Sequence, residues 1–165
     1  MLGAGTYRFF PGSVRFPFGH GLTVGAEFSY KSLAASSVKL SAATITSAVT
    51  GPGSVRGKYL SPTLINATVS VTNLGSRSAA HSVLLFASPP NAGKDGAPLK
   101  SLVAFERIPA LEPQASVAVS LPLNAWAFAL ADADGAWGAT AGAWTLAANN
   151  GSKAGSEVSA GLTVG

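Results

Sequence analysis

The clearest pattern in the chain is the alternation of Ile65, Ala67, Val69 and Val71 with Asn66, Thr68, Ser70 and Thr72. A period of two sends successive side chains to opposite faces of a strand, so the first row points into a core and the second into solvent. The strand ends at Asn73-Leu74-Gly75-Ser76, where Asn and Gly are expected to supply the positive φ of a tight turn. The next run, Val83-Leu84-Leu85-Phe86-Ala87, is nearly continuous, which fits a strand covered on both faces. Pro89 and Pro90 stop it because neither can donate to a ladder, and the stretch to Pro98 reads as a long ordered loop.

Leu102-Val103-Ala104-Phe105 opens a further strand that Pro109 is expected to close, and Glu112-Pro113-Gln114 makes the turn into the row Val117, Val119, Leu121. Ala125 to Leu130 is short enough to fit a helical turn or a strand. Asp132-Ala133-Asp134-Gly135 is a turn, Ala143 to Ala147 a strand, and Asn149-Asn150-Gly151-Ser152 a hairpin back to Val158 to Val164. Val38 to Ile45 reads as the first strand, and no segment reads as a convincing helix. The pattern predicts an all-β chain, an immunoglobulin-like sandwich of two sheets.

What precedes the sandwich differs in kind. Between Tyr7 and Tyr30 the aromatics Phe9, Phe10, Phe16, Phe18 and Phe28 crowd together, while Pro11 and Pro17 forbid a long helix and four glycines between residues 12 and 25 forbid a stiff strand. Residues 1-30 therefore read as an irregular, aromatic-rich connector and 31-165 as the sandwich. A segment of this kind cannot bury its rings against itself; it must wrap along the sandwich or dock on something outside it.

Composition narrows the picture. With 165 residues, 47% of them hydrophobic and 11% charged, the chain is long enough for one full core. Its net charge of +4 comes from basic residues scattered along the chain, with only Arg56/Lys58 and Arg8/Arg15 near each other, so it lacks the basic stripe of a nucleic-acid binder. No apolar run has the length needed to cross a bilayer, and Met1 to Arg8 lack the apolar stretch of a secretory signal, which leaves the compartment open. Zero cysteines exclude disulfides and thiolate metal sites, so packing must replace the usual inter-sheet bridge. No cofactor is expected.

Candidate chemistry is sparse. Acid–base catalysis by paired carboxylates needs two of them close together, one enclosed so that its pKa rises. The seven carboxylates here, Glu27, Asp95, Glu106, Glu112, Asp132, Asp134 and Glu157, sit beside Gly or Pro or on the expected solvent face of a strand, so no catalytic residue is assigned. Asp132-x-Asp134-Gly135 opens like a calcium loop but lacks the closing Glu, and a turn held by Asp side chains on backbone amides is the better reading. His81 has no metal-spaced partner and is expected at a surface strand position. Trp126 and Trp137 are candidates for stacking on a sugar, weighed against the core role that aromatics usually take in a sandwich. Asn66-Ala67-Thr68 and Asn150-Gly151-Ser152 are glycosylation sequons, and Asn150, in a hairpin, is the one with room for a glycan.

Tyr7-Arg8-Phe9-Phe10, Gly12, Val14 and Phe16-Pro17-Phe18-Gly19-His20-Gly21-Leu22 together resemble the connector that leaves the second catalytic domain of family 3 β-xylosidases and β-glucosidases. Val69 to Asn73, Leu84-Leu85-Phe86, Ser88-Pro89-Pro90-Asn91-Ala92-Gly93, Gly96-Ala97-Pro98-Leu99-Lys100, Leu102 to Arg107 and Trp144-Thr145-Leu146 continue the resemblance through the family's C-terminal fibronectin type III-like domain, most similar to the plant and fungal β-xylosidase branch. The chain departs from the family after Leu22, where Thr23-Val24-Gly25-Ala26-Glu27 loses a Tyr and adds a residue. The resemblance implies a non-catalytic accessory domain in xylan or oligosaccharide breakdown, because both catalytic carboxylates of the family lie upstream of the matched region. It implies the catalytic domains as partner in cis, with Phe16, Phe18, His20 and Leu22 at that contact or at the rim of the sugar pocket. Carbohydrate is the second partner class, in the rival reading of a free-standing carbohydrate-binding module; neither nucleic acid nor a membrane is expected as a partner. Family members are commonly secreted.

Overall fold

The computed structural model describes residues 6–21, 25–52, 61–149 and 157–165, and in them two sheets face each other across an apolar core. The first sheet has strand order β1-β3-β6, formed by β1 (Phe28–Ala35), β3 (Ile65–Asn73) and β6 (Ser116–Leu123), all antiparallel. The second has order β2-β10-β9-β4-β5, formed by β2 (Lys39–Leu40), β10 (Val158–Val164), β9 (Gly142–Asn149), β4 (Ala79–Ser88) and β5 (Ser101–Leu111). A small hairpin, β7 (Ala129–Ala131) with β8 (Trp137–Ala139), stands beside them.

Strand parity builds the core. Ile65, Ala67, Val69 and Val71 of β3 are buried and meet Val119, Leu121 and Leu123 of β6 in register, while Val83, Leu85 and Ala87 of β4 and Trp144, Leu146 and Ala148 of β9 supply the opposite layer. Trp144 packs edge-on against Phe128 at 5.6 Å, and its indole N–H donates to the Thr140 carbonyl, which satisfies the one polar atom that an inward Trp brings. Both rings belong to the apolar core between the sheets.

Several elements differ from the sequence-based expectation. Val38 to Ile45 is not one strand: β2 is two residues long and α1 (Ala42–Thr50) follows it, so the chain does contain a helix. The Ser41 hydroxyl caps the helix by accepting from the Thr44 amide, and Ile45 and Val49, four residues apart, are the positions it buries. Ala125 to Leu130 divides into a 3-10 helix, Ala125–Phe128, and the start of β7. The strand opened near Leu102 runs through Pro109 to Leu111; β5 borders its sheet, where a missing N–H costs no ladder bond. The opposite sheet has comparable irregularities at its borders, a register shift in β1 next to Ser32 at φ 58° and Pro122 in β6.

The turn after β3 is built differently from its expectation. Neither Asn73 nor Gly75 has positive φ. Asn73 is wholly buried instead, its amide donating to the carbonyls of Arg77 at 2.8 Å and Leu111 at 2.9 Å and its side-chain oxygen accepting from the Gly75 amide at 2.9 Å. Gly75 is required by proximity, since a Cβ there would stand 2.5 Å from the Ala26 Cα and the Gly25 carbonyl oxygen.

His81 is likewise inside the protein, 4% exposed, rather than on the surface. Its parity is that of Val83 and Leu85, and the inward position is made tolerable by Tyr30, whose hydroxyl lies 2.6 Å from Nε2, and by Phe28, whose ring stacks on the imidazole at 3.8 Å. Burial, with the positive charge of Arg107 second, pushes the His81 imidazole down to about 4, and burial pushes the Tyr30 phenol above its ordinary range. An imidazole kept neutral in the folded state but free to bind a proton when unfolded stabilises the fold fully above its unfolded pKa of 6.5 and progressively less as pH falls toward 4. Urea unfolding should therefore show stability dropping by about 2 to 3 kcal/mol between pH 7 and pH 4. The slope should flatten in His81→Gln; an equal slope in both proteins would refute the assignment.

Candidate functional site

The outward row of β4 carries the first surface of interest. Phe86 is 1% exposed although it lies outside the core between the sheets, because the N-terminal segment covers it. Tyr7 and Phe18 stack on each other at 4.1 Å and 11°, and both meet the Phe86 ring edge-on at 6.1 Å. Lys100 places its ammonium 4.7 Å from the Phe86 centroid. Gly19 completes the seal: its φ is 85°, and a Cβ there would approach Leu84 Cδ1 to 2.5 Å. Polar bonds fix the same segment to β5 and the loop before it, with the Leu102 amide donating to the Tyr7 hydroxyl at 3.0 Å, the Leu99 amide to the Arg8 carbonyl at 2.6 Å, and Arg8 Nε to the Ser101 hydroxyl at 3.1 Å.

The segment thus spends only part of its rings on the sandwich. Phe16 stays 64% exposed and Phe18 46%, and Phe9, Phe10 and Val14 also face solvent. Phe16 lies against His20, ring centroids 5.0 Å apart, and the His20 amide closes a turn by donating to the Pro17 carbonyl. Phe16 and His20 are therefore brought together, whereas Phe18 turns toward Tyr7 and Phe86 and keeps only part of its ring in solvent; Leu22 and Asn150 lie outside the described residues. Asn66, the other sequon asparagine, is an exposed position at the start of β3.

A second surface lies where the connector, the loop after β4 and the β7–β8 hairpin meet. Two adjoining hollows of about 280 and 510 Å³ share Arg8, Pro98, Leu130 and Trp137 as walls. Of the two tryptophans considered for stacking, Trp126 is buried in the core and Trp137 is 37% exposed, braced edge-on against Trp126 at 5.1 Å. The loop from Pro89 to Pro98 is ordered by its own backbone bonds, Ala92 to Pro89, Lys94 to Asn91, Ala97 to Lys94 and Gly93 to Ala97. On the facing side, Asp132 accepts from the amides of Asp134 and Ala136, the Asp-held turn that the sequence suggests. Asn91, the residue sequence reasoning did not single out, lines the larger hollow; it belongs to the Ser88-Pro89-Pro90-Asn91 loop, whose length and paired prolines were the available signal.

All seven carboxylates are solvent-exposed, and among the described residues no group of His, Asp and Glu is arranged to hold a metal ion. No described helix is long and apolar enough to cross a membrane.

Comparison with known proteins shows what the chain is similar to. Residues 81–152 match the fibronectin type III-like domain family. Over 88% of its length the chain is 33% identical to the probable exo-1,4-β-xylosidase xlnD of Aspergillus terreus and 31% identical to the exo-1,4-β-xylosidase xlnD of Emericella nidulans, of which it spans only 18% and 17%. Among solved structures, a β-D-glucoside glucohydrolase from Trichoderma reesei superimposes with a TM-score of 0.73 at 22% identity, covering 93% of this chain and 20% of its own. A GH3 β-glucosidase from Bifidobacterium adolescentis does so with a TM-score of 0.69 at 23% identity, covering 96% of this chain and 20% of its own. Residues 81–152 thus match a fibronectin type III-like domain, the chain is similar over most of its length to a part of the exo-1,4-β-xylosidases, and it shares its fold with a part of the β-glucosidases.

Proposed function

We propose that this chain serves as the non-catalytic accessory domain of a family 3 exo-β-glycosidase of the β-xylosidase type, and that it seats the outer side of its connector against the catalytic domains. The observation that carries the reading is the division of labour within the connector. Tyr7 and Phe18 bind it to Phe86, while Phe16 presents most of its ring to solvent a few residues away. Exposed rings in a row on a segment already anchored on its other side mark an interaction surface. Relatives about five times longer than this chain supply a body for it to meet. Phe16, Phe18, His20 and Leu22 are the residues assigned to that contact, and hydrolysis would depend on them only through the relative placement of the domains.

The exposed carboxylates support the non-catalytic half of the proposal. A catalytic carboxylate pair works across an enclosed cleft, and all seven carboxylates lie at exposed positions. Incubation of the purified chain with an aryl β-xyloside should release no phenol; turnover that disappears on substituting any one of the seven would overturn the reading.

Separated from its partner, the anchored but uncovered surface should make the chain self-associate. Light scattering should report a mass above that of the monomer, and Phe16→Ser should return it toward the monomer while changing stability by no more than about 0.5 kcal/mol, because the ring is mostly in solvent already. A clean monomer before the substitution, with the rings accessible, would count against a docking role.

A further inference from the structure

We infer that Asn66 is the acceptor of an N-linked glycan that stands on the outer face of the three-stranded sheet. Three observations carry the assignment. First, Asn66-Ala67-Thr68 has the Asn-x-Thr spacing that an oligosaccharyl transferase reads, with Ala rather than Pro between the two. β3 holds the triplet extended, so Asn66 and Thr68 lie on one face, both exposed, while Ala67 between them is wholly buried in the core. The acceptor carboxamide and its companion hydroxyl are thus presented outward together.

Second, the side chain is uncommitted and has room. Asn66 spends its backbone on Ser36, its amide donating to the Ser36 hydroxyl at 3.0 Å and its carbonyl accepting from the Ser36 amide at 2.8 Å, whereas its carboxamide bonds to no described residue. Asn73 on the same strand differs, because both ends of its carboxamide hold a turn. Across the sheet from Asn66 and Thr68 stand Pro122 and Ser120 of β6 and Ala34 of β1, all exposed and none bulky or charged. A bulky, hydrophilic glycan needs such a clear surface.

Third, the attachment point stands away from the surface that the aromatic segment covers. The connector packs on the outer face of the five-stranded sheet through Phe86, and Asn66 projects from the outer face of the other sheet, with the core between them. A glycan there leaves the connector and its open rings clear. It also keeps a face of small residues, Thr68, Ser116, Ala118 and Ser120, in water.

The reaction is a group transfer. The Asn66 carboxamide nitrogen attacks the anomeric carbon of an oligosaccharide carried on a lipid-linked diphosphate; the new N–C bond forms, the C–O bond breaks with its electron pair leaving on the diphosphate, and one carboxamide proton passes to a base of the transferase. No oxidant or reductant enters. The transferase must reach the triplet before the sheet walls it in, and chain order provides the interval: β1 precedes β3, but β6, which closes the other side of β3, begins only at Ser116.

The test is peptide mapping of the protein isolated from its own cells and of the chain secreted by yeast behind a leader, each treated with peptide N-glycosidase in heavy-oxygen water. Asn66 should be recovered from both as heavy-oxygen aspartate. In the secreted chain, Asn66→Gln and Thr68→Ala should each abolish that signal, and Thr68→Ser should keep it, because the hydroxyl and not the methyl group is read. The glycosylated chain should respond to Phe16→Ser as the bare chain does, so failure of the connector reading leaves this one standing. Unmodified Asn66 from either source, or a glycan confined to Asn150, would overturn the proposal.

Discussion

Coverage of β4 on both faces is the constraint on which the rest of the molecule depends. Its inner row, Val83, Leu85 and Ala87, closes the core against β3 and β6, and its outer row carries Phe86, an aromatic that would be exposed in a bare two-sheet sandwich. Burying a ring of this size is favourable by about 1.5 to 3 kcal/mol, enough to hold down a segment that has no regular secondary structure of its own. Once Tyr7 and Phe18 are seated there, the positions of Arg8, of the loop ending at Leu99 and of the open rings beyond follow from short polar contacts. The connector surface inherits its geometry from this one anchoring.

Much of the fold was legible because two-residue alternation is a strong signal wherever large apolar and small polar residues take turns. Ile65 to Val71 and Val117 to Leu121 were read correctly for that reason. The same arithmetic places Asn73 in line with Val71 and His81 in line with Val83, inside the protein. Residue type argued for turn and surface, and parity prevailed because each found partners: two carbonyls and an amide for Asn73, a phenol and a stacked ring for His81. Helix α1 was illegible for the opposite reason. Its Ala, Ser and Thr residues satisfy either period, and only the Ser41 cap with Ile45 and Val49 on one face distinguishes helix from strand.

The candidate sites divide in the same way. Aromatic crowding between residues 7 and 18 is visible in one dimension, and so is the conclusion that some of the rings need a partner. Which ring goes inward is not visible, since it depends on Phe86, far along the chain, and on the lack of a side chain at Gly19. Of the hollow at Trp137, the sequence offers the tryptophan and the proline-flanked loop but not their meeting. Its walls come from the connector, a loop and a hairpin that approach only in the folded chain.

The borders of the two sheets have a consequence for how this chain can meet another polypeptide. β2 offers two residues, β5 is interrupted by Pro109, β6 by Pro122, and β1 by its shifted pairing beside Ser32. Among the described residues these interruptions shorten the rows of free amides and carbonyls at the sheet borders, and the longest row left is Ser101 to Ile108 of β5. That stretch, with Phe105 exposed on it, is the border most open to pairing with a second polypeptide, whereas the other borders favour adhesion through side chains.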